Sequence, residues 1–349
     1  MAKTSIIAWD VHSGFCEGGY VDQQGRERAA WHKPTGVTQL VEAMAAVPGF
    51  RKLIIEEGPL ADWLWRNLSP HVDEMIVCDP HRNALISKDG EKSDRLDWRK
   101  LAALYRAGMV KAVHHTPTLE RSLFKQRVQL YHDRVGHRVS EALKIIWRVR
   151  RLGVFVKEKD LADPKLRKAM LAQVTDPVAL EDVQLLLEGY DQAASQVQQM
   201  KSRLIELAKK EPMINSFCEI PGMGWIRAAT FFVFVDTPFR FQSKQKLWKY
   251  LGIGLEGRQS GNGRVLLRSP RRCSRALKNV MLGAARSAIA SKDNVFVRQY
   301  QRWIDEKGCS PLIARRNVAR SQATVMWGMW KSGSEFDPDQ VEKTLATAH

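Results

Sequence analysis

Four acidic residues occupy positions at which a folded chain could hold a divalent metal ion. Asp10 ends the apolar run of residues 4–9, and Glu56 ends a second apolar run, residues 52–55. A carboxylate at the end of a buried strand is unfavourable unless a cation or hydrogen bonds compensate for its lost hydration. Asp94 and Asp97 are three residues apart, so on a helix they would share one face.

A cluster made only of carboxylate oxygens suits hard divalent ions such as Mg²⁺ or Mn²⁺. Two such ions about 3.5–4 Å apart can stabilise both the entering and the leaving oxygen of a phosphodiester transfer. The sequence therefore predicts a catalytic metal site formed by Asp10, Glu56, Asp94 and Asp97. Glu57 is the alternative to Glu56. Each acid alone is weak support, because such residues commonly sit in turns or on solvated helix faces.

The elements around these acids indicate the fold of residues 1–118. Segments 17–21 and 28–32 flank a turn at Gln23-Gln24-Gly25 and predict a meander with the first strand. Helices over 36–46, 63–68 and 94–105 and strands over 52–56 and 74–78 follow. This order is that of an RNase H-like α/β domain. In such a sheet the first and fourth strands are parallel neighbours, which would bring Asp10 and Glu56 side by side.

Residues 119–211 have a different character, with long, charged, amphipathic helices. Between Val183 and Leu207 the apolar positions fall near heptad spacing, as in a coiled coil. Two interpretations remain open: a helical hairpin packed within the chain, or an arm through which copies of the protein associate.

The charge and the cysteines limit the class of protein. The net charge is +17, and residues 240–320 contain 19 Lys or Arg but only four acids. Such an excess favours a polyanionic partner, because each phosphate that a Lys or Arg neutralises releases a counterion. The five cysteines are widely separated and lack zinc spacing, which is typical of reduced thiols. No signal region or membrane span is predicted, so we expect a cytoplasmic protein.

Residues 212–349 contain two motifs that could handle nucleic acid. The segment Ile220-Pro-Gly-Met-Gly224 fits the turn of a helix-hairpin-helix, in which Gly222 and Gly224 would let the backbone approach a phosphate. Further along, a glycine-rich polar loop carries a central serine, Ser260, that could be set against a phosphate. Guanidinium groups that could bind nucleic acid follow the serine: Arg264, Arg268, Arg271, Arg272 and Arg275. From the residues alone, a solvated glycine loop is the preferred interpretation of this segment.

Three motifs, Ile-Ala-Trp-Asp10-Val-His, Ile-Ile-Glu56-Glu-Gly-Pro and Lys-Ser-Asp94-Arg-Leu-Asp97, resemble those of the DEDD-type insertion-sequence transposases. The resemblance extends to the Pro-Gly-Met-Gly turn and to the Ser260-Gly segment. It implies a domain like a Holliday-junction resolvase, followed by a distinct transposase domain. It also implies that Asp10, Glu56, Asp94 and Asp97 bind the metal and that Ser260 is the recombination nucleophile. Ser269 and Ser274 are rivals, because Arg268-Ser-Pro-Arg-Arg departs from the family pattern here.

The predicted protein has three parts: an RNase H-like α/β domain (1–118), a helical coiled-coil region (119–211) and a mainly α transposase domain (212–349). The resemblance implies that it cuts and rejoins donor and target DNA through a phosphoserine, guided by an element-encoded RNA. A homo-oligomer, dimer or tetramer, in the nucleoid of a bacterial cytoplasm is the expected form. A junction-resolving nuclease that hydrolyses DNA without a serine is the alternative, and a non-catalytic nucleic-acid scaffold is a third possibility.

Overall fold

The computed structural model describes residues 3–80, 94–258, 266–270 and 272–347. The chain forms two compact units, residues 1–121 and 122–349. Within the described ranges, no helix is both long enough and apolar enough to cross a membrane.

The first unit is built on a five-stranded sheet. Its strands are β1 (Thr4–Val11), β2 (Phe15–Val21), β3 (Glu27–Pro34), β4 (Phe50–Glu56) and β5 (Glu74–Cys78), and its helices are α1 (Val37–Ala45), α2 (Ala61–Leu68) and α3 (Asp94–Arg106). The strand order is β3-β2-β1-β4-β5. The first three strands form an antiparallel meander, whereas β4 runs parallel to both β1 and β5. The predicted meander, its order and the parallel pairing of the first and fourth strands are confirmed.

Helices cover both faces of this sheet, which explains why its central strands are apolar throughout rather than alternating with polar residues. On one face, Ile7, Trp9 and Ile55 pack against α1 and α2. On the other face, Ile54 and its neighbours on β1 pack against Trp98 of α3. In the central strands β1 and β4, charged residues therefore lie toward the strand ends.

Where the structure describes it, the second unit is helical apart from a two-stranded hairpin. Its helices are α4 (Leu119–Arg150), α5 (Pro164–Leu171), α6 (Pro177–Ala208), α7 (Pro212–Cys218), α8 (Trp225–Val235), α9 (Lys244–Tyr250), α10 (Arg275–Ile289), α11 (Val295–Asp305), α12 (Pro311–Ser332) and α13 (Pro338–Thr347), and its strands are β6 (Glu256–Arg258) and β7 (Leu266–Arg268). The apolar helix α8 lies in the main core of this unit. The mainly α character predicted for the C-terminal part is confirmed.

The two long helices α4 and α6 bury part of their apolar stripes within the chain. Val183, Leu187 and Tyr190 of α6 belong to one buried cluster with Ile145 and Val149 of α4. The ion pair between Arg148 Nη2 and Asp182 Oδ2 also joins the two helices. The stripe is thus used by a hairpin inside the chain, the first of the two interpretations. Self-association through this region stays a prediction, and the exposed apolar side chains there include Leu143, Trp147, Phe155 and Leu185.

Candidate functional sites

The register of the parallel pair β1 and β4 determines where the first two predicted acids lie. Trp9 of β1 is paired with Ile55 of β4, so Asp10 and Glu56 are the next residues along the two strands. Both therefore stand at the carboxyl ends of neighbouring parallel strands. The predicted side-by-side arrangement of these two positions is present in the sheet.

Strand alternation also assigns both acids to one face. Side chains two residues apart on a strand point to the same side, and Ala8 and Ile54 both face α3. Asp10 follows Ala8 by two residues, and Glu56 follows Ile54 by two. The two carboxylates are consequently on the side of the sheet that α3 covers.

Asp10 is partly shielded and already in contact with a second polar group. Its side chain is 23% exposed, and its Oδ2 lies 3.1 Å from Nε2 of His12. The His12 ring in turn lies 4.7 Å from the ring of Phe15. His12 is a site neighbour that sequence reasoning did not single out, although it follows Asp10 by only two residues, just after β1 ends.

Glu57, the alternative to Glu56, belongs to a different set of contacts. Its Oε2 lies 2.7 Å from Nε2 of His115, whose side chain is only 6% exposed. The other ring nitrogen of His115 lies 3.5 Å from Oδ1 of Asp62, and the indole of Trp65 stacks on the His115 ring. Asp62 and Trp65 are both in α2, on the opposite side of the sheet from α3. The structure therefore separates Glu57 from the face shared by Asp10 and Glu56.

Helix α3 runs antiparallel to β1 and β4. Near its end, Tyr105 Oη accepts a hydrogen bond of 2.9 Å from Lys52 Nζ, at the beginning of β4. Lys52 also pairs with Glu74 at the beginning of β5. The hydrogen bond to Glu74 and, to a smaller extent, that to Tyr105 raise the pKa of Lys52. The end of α3 thus lies at the beginnings of the parallel strands, and its first turn lies toward their carboxyl ends.

Simple distances support this placement of the first turn. From Tyr105 back to Asp94 is eleven residues of helix, a rise of about 16 Å. From Lys52 to Glu56 is four residues of strand, about 13 Å. The backbone of Asp94 is therefore near the level at which β1 and β4 end.

The two acids of α3 differ in how much of them the structure describes. Asp97 is 47% exposed, and its Oδ1 lies 3.6 Å from Lys100 Nζ. Asp94 is the first residue of α3, and its side chain lies outside the described residues. Of the side chains that are described, no three His, Cys, Asp or Glu form a group that could hold a metal ion. Asp10 and Glu56 are therefore brought together by strand register, whereas their grouping with Asp94 and Asp97 stays a prediction.

The Pro-Gly-Met-Gly turn connects α7 to α8, and its assignment to a helix-hairpin-helix stays a prediction. Gly222 has a φ of +85°, and a Cβ there would lie 2.2 Å from the carbonyl oxygen of Ala284 in α10. Arg227 also stabilises the turn, because its Nη1 donates hydrogen bonds to the carbonyl of Gly222 and to Ser287 Oγ of α10. Burial lowers the pKa of Arg227. Gly222 is thus required by close packing inside the chain.

Gly224 has a different environment. It is the N-cap of α8, with extended backbone angles, and no heavy atom lies within 4 Å of where its Cβ would be. Of the two glycines, only Gly224 has open space in front of it. The approach of a phosphate to this turn stays a prediction.

The predicted nucleophile segment is flanked by an antiparallel hairpin. Strands β6 and β7 pair Glu256 with Arg268 and Arg258 with Leu266. Ser260, Arg264 and Arg271 lie outside the described residues.

The remaining candidates of this segment are described. The side chains of Arg268, Arg272 and Arg275 are exposed. Of the rival serines, Ser274 is the N-cap of α10, and its Oγ accepts from the backbone N–H of Leu277. The hydroxyl oxygen of Ser274 is therefore part of the helix cap. Ser269 directly follows β7.

The turn, the hairpin and the helices around them lie in a segment that matches the model of a known sequence family. Residues 215–301 match the model of the family described as "Transposase IS116/IS110/IS902 family". No curated protein matches the chain. The family match supports an insertion-sequence transposase, a class of enzyme that cuts and rejoins DNA. The matched segment contains Gly222, Gly224, Ser260 and all five candidate arginines.

The contrast between Gly222 and Gly224 gives a direct test of the turn. We expect Gly222→Ala to lower the free energy of unfolding by about 2 kcal/mol or more, since it adds both overpacking and a strained φ. Gly224→Ala is the matched control, with an expected cost below about 1 kcal/mol at this N-cap. Urea denaturation followed by circular dichroism measures both. Equal costs for the two variants would contradict the packing role of Gly222.

Proposed function

We propose that this protein is a metal-dependent transposase whose first unit is an RNase H-like catalytic domain. The family match of residues 215–301 supports the transposase class, and the strand order β3-β2-β1-β4-β5 supports the fold of the catalytic domain. The observation that carries metal dependence is the register of β1 and β4, which brings Asp10 and Glu56 to adjacent strand ends on one face. In this proposal Asp94 and Asp97, from the first turn of α3, complete the site.

The donor set at these strand ends fits a hard divalent ion. Asp10 and Glu56 supply only carboxylate oxygens, which Mg²⁺ and Mn²⁺ prefer. Without a cation, two neighbouring carboxylates above a sheet that is apolar on both faces would repel each other. When bound there, Mg²⁺ or Mn²⁺ would favour loss of a hydroxyl proton and stabilise charge on the transferring phosphate.

In the proposed reaction Ser260 is the nucleophile. Its Oγ forms a bond to the phosphorus of a DNA phosphodiester, and the bond from that phosphorus to one sugar oxygen breaks. The hydroxyl proton leaves Ser260 and the departing sugar oxygen gains a proton, so the step balances. Attack of a second DNA end on the phosphoserine reverses these bond changes and rejoins the strands. The arginines from Arg264 to Arg275 would bind the phosphates on either side.

The partners follow from this reaction. Donor and target DNA are the substrates, and a guide RNA encoded by the element is proposed to pair with both. A homo-oligomer, dimer or tetramer, in the bacterial nucleoid is the proposed working form. The net charge of +17 supports binding of RNA and DNA together. The alternative is a junction-resolving nuclease that uses the same acids to hydrolyse DNA and leaves no protein–DNA bond.

The acid site is tested by removing its members one at a time. Loss of even an outer partner of a metal ligand costs about 10–100-fold, so Asp94→Asn and Glu56→Gln should reduce recombination by more than about a hundredfold. Glu57→Gln is the matched control, because Glu57 contacts His115 on the other side of the sheet. Recombination of donor and target DNA by the protein with its copurified RNA is measured, with thermal unfolding as a check on folding.

Two results would change the assignment of the acids. If a folded Asp94→Asn protein recombines DNA at the wild-type rate, the acid site is wrong. If Glu57→Gln rather than Glu56→Gln loses activity, Glu57 is the ligand instead.

The nucleophile is tested by mass spectrometry of the trapped protein–DNA adduct after nuclease digestion. We expect the nucleotide remnant on Ser260, and none in Ser260→Ala, although this variant should bind nucleic acid normally. Ser269→Ala and Ser274→Asn should both keep the adduct. Asn at position 274 preserves the helix cap without a hydroxyl, so this control separates chemistry from stability. A remnant on Ser269 or Ser274 would move the site, and no remnant at all would favour hydrolysis.

A further inference from the structure

The second unit contains a cavity of about 570 Å³ that none of the sequence motifs predicted. It is lined by residues of α9, α11, α12 and α13 and of the segment between α12 and α13. Its size is that of pockets that hold small organic ligands or one nucleotide. The indole rings of Trp248 and Trp303 are part of its wall. Aromatic walls of this kind are surfaces on which a planar ring can stack.

One residue of the cavity wall carries a buried polar atom without a hydrogen-bond partner. Gln299 is 9% exposed, and its Nε2 donates a hydrogen bond of 2.6 Å to Ser321 Oγ. The Ser321 hydroxyl donates to the carbonyl of Asn317, so its oxygen must accept from Gln299. This network fixes the orientation of the amide and leaves Gln299 Oε1 without a donor. A buried acceptor without a partner is unfavourable, and an N–H group of a ligand would satisfy it once the Gln299 side chain moves to bring Oε1 to the cavity surface.

The cavity also holds positive charge that the neighbouring residues do not neutralise. Arg320 donates through Nε to the carbonyl of Ile253 and through Nη1 to Asn317 Oδ1. Both acceptors are uncharged, and among the residues described no carboxylate is within ion-pair distance of Arg320. Burial, with Arg316 nearby, lowers the pKa of Arg320. Keeping such a guanidinium half-buried is costly unless an anion approaches it.

Among the other charged residues of the wall, cationic side chains also outnumber acidic ones. The cationic residues are Lys244, Arg302, Lys307 and Arg320, and the acidic residues are Glu335 and Asp337. Glu306, next to the wall, pairs with Arg302, so the four positive charges of the wall against its two acids and Glu306 leave an excess of one positive charge. A ligand that suits it combines a planar ring, an N–H donor and an anionic group.

We infer that this cavity binds one unpaired nucleotide of the nucleic acid on which the protein acts. The base stacks against Trp248 or Trp303, an amino or imino N–H of the base donates to Gln299 Oε1, and the phosphate pairs with Arg320. This inference rests on the proposed function only in that it assumes a nucleic-acid partner. The cavity lies within the second unit, so it requires neither the acid site nor Ser260.

The direct test is photocrosslinking with five-nucleotide single strands of DNA or RNA that carry one central 5-iodouracil and a 5′ fluorescein. Mass spectrometry of the full-length protein should find the crosslink on Trp248, Trp303 or their immediate neighbours. The arm, DNA or RNA, with the higher crosslinking yield identifies the source of the nucleotide. A crosslink only on residues that do not line the cavity overturns the inference.

Affinity for the same strands, measured by fluorescence anisotropy, tests the role of Gln299. Gln299→Leu keeps the volume but removes the acceptor, so binding should weaken about five- to tenfold. Gln301→Leu is the matched control, because Gln301 is exposed on the same helix and does not line the cavity. If Gln299→Leu does not fold, charge reversal at the exposed Lys307, Lys307→Glu, should weaken binding at least as much. Unchanged affinity in the folded variant of either residue contradicts the inference.

Two further measurements separate this inference from the proposed transposase reaction. In the Asp94→Asn background, DNA cleavage should be lost while the crosslink remains, so failure of one does not imply failure of the other. Competition with a free nucleoside monophosphate should displace the strand only at concentrations at least about a hundredfold above the strand's own Kd. Displacement at equal concentrations would show a site for free nucleotides and overturn the assignment to a nucleic-acid strand.

Discussion

The parallel pairing of β1 with β4 is the constraint on which the rest of the first unit depends. The pairing of Trp9 with Ile55 fixes which residue of each strand is the last before solvent. A shift of one residue would exchange the two faces of β4. Ile55 would then face α3, and Glu56 would face the apolar cluster under α1 and α2. The register of a sheet that is buried on both sides is therefore strongly specified. The register in turn determines the position of each carboxylate.

The same constraint explains why the apolar runs of β1 and β4 end abruptly at an acidic residue. The sheet is covered by α1 and α2 on one side and by α3 on the other, so charge is excluded from the middle of β1 and β4. Charged side chains are placed where the strands end: Lys52 and Glu74 at one edge, Asp10 and Glu56 at the other. Because α3 runs antiparallel to β1 and β4, its acidic first turn is directed toward the second edge.

Much of this arrangement could be predicted from the sequence. The apolar runs ending at Asp10 and Glu56 predicted buried strands, and the turn at Gln23-Gln24-Gly25 predicted the meander that orders them. The choice between Glu56 and Glu57 could not be made at that stage. The structure shows where the two residues differ, in the contact of Glu57 with His115, which is 58 residues away in the chain, and the choice of ligand stays a prediction. The packing role of Gly222 could not be predicted either, because the helix that packs against it, α10, lies about 60 residues further along the chain. The cavity around Gln299 has no sequence signal for a similar reason, because its walls come from four separate helices.

The central claim is that the ends of β1 and β4 and the first turn of α3 meet around one divalent ion. Iron-directed cleavage tests this most directly: the protein is loaded with Fe²⁺ in place of Mg²⁺ and treated with ascorbate and peroxide, so that radicals cut the backbone next to the metal. Mass spectrometry of the fragments should show cuts near Asp10, near Glu56 and near Asp94, which excess Mg²⁺ suppresses together. Cuts confined to other segments, or cuts near only one of these three that Mg²⁺ does not suppress, would contradict the account.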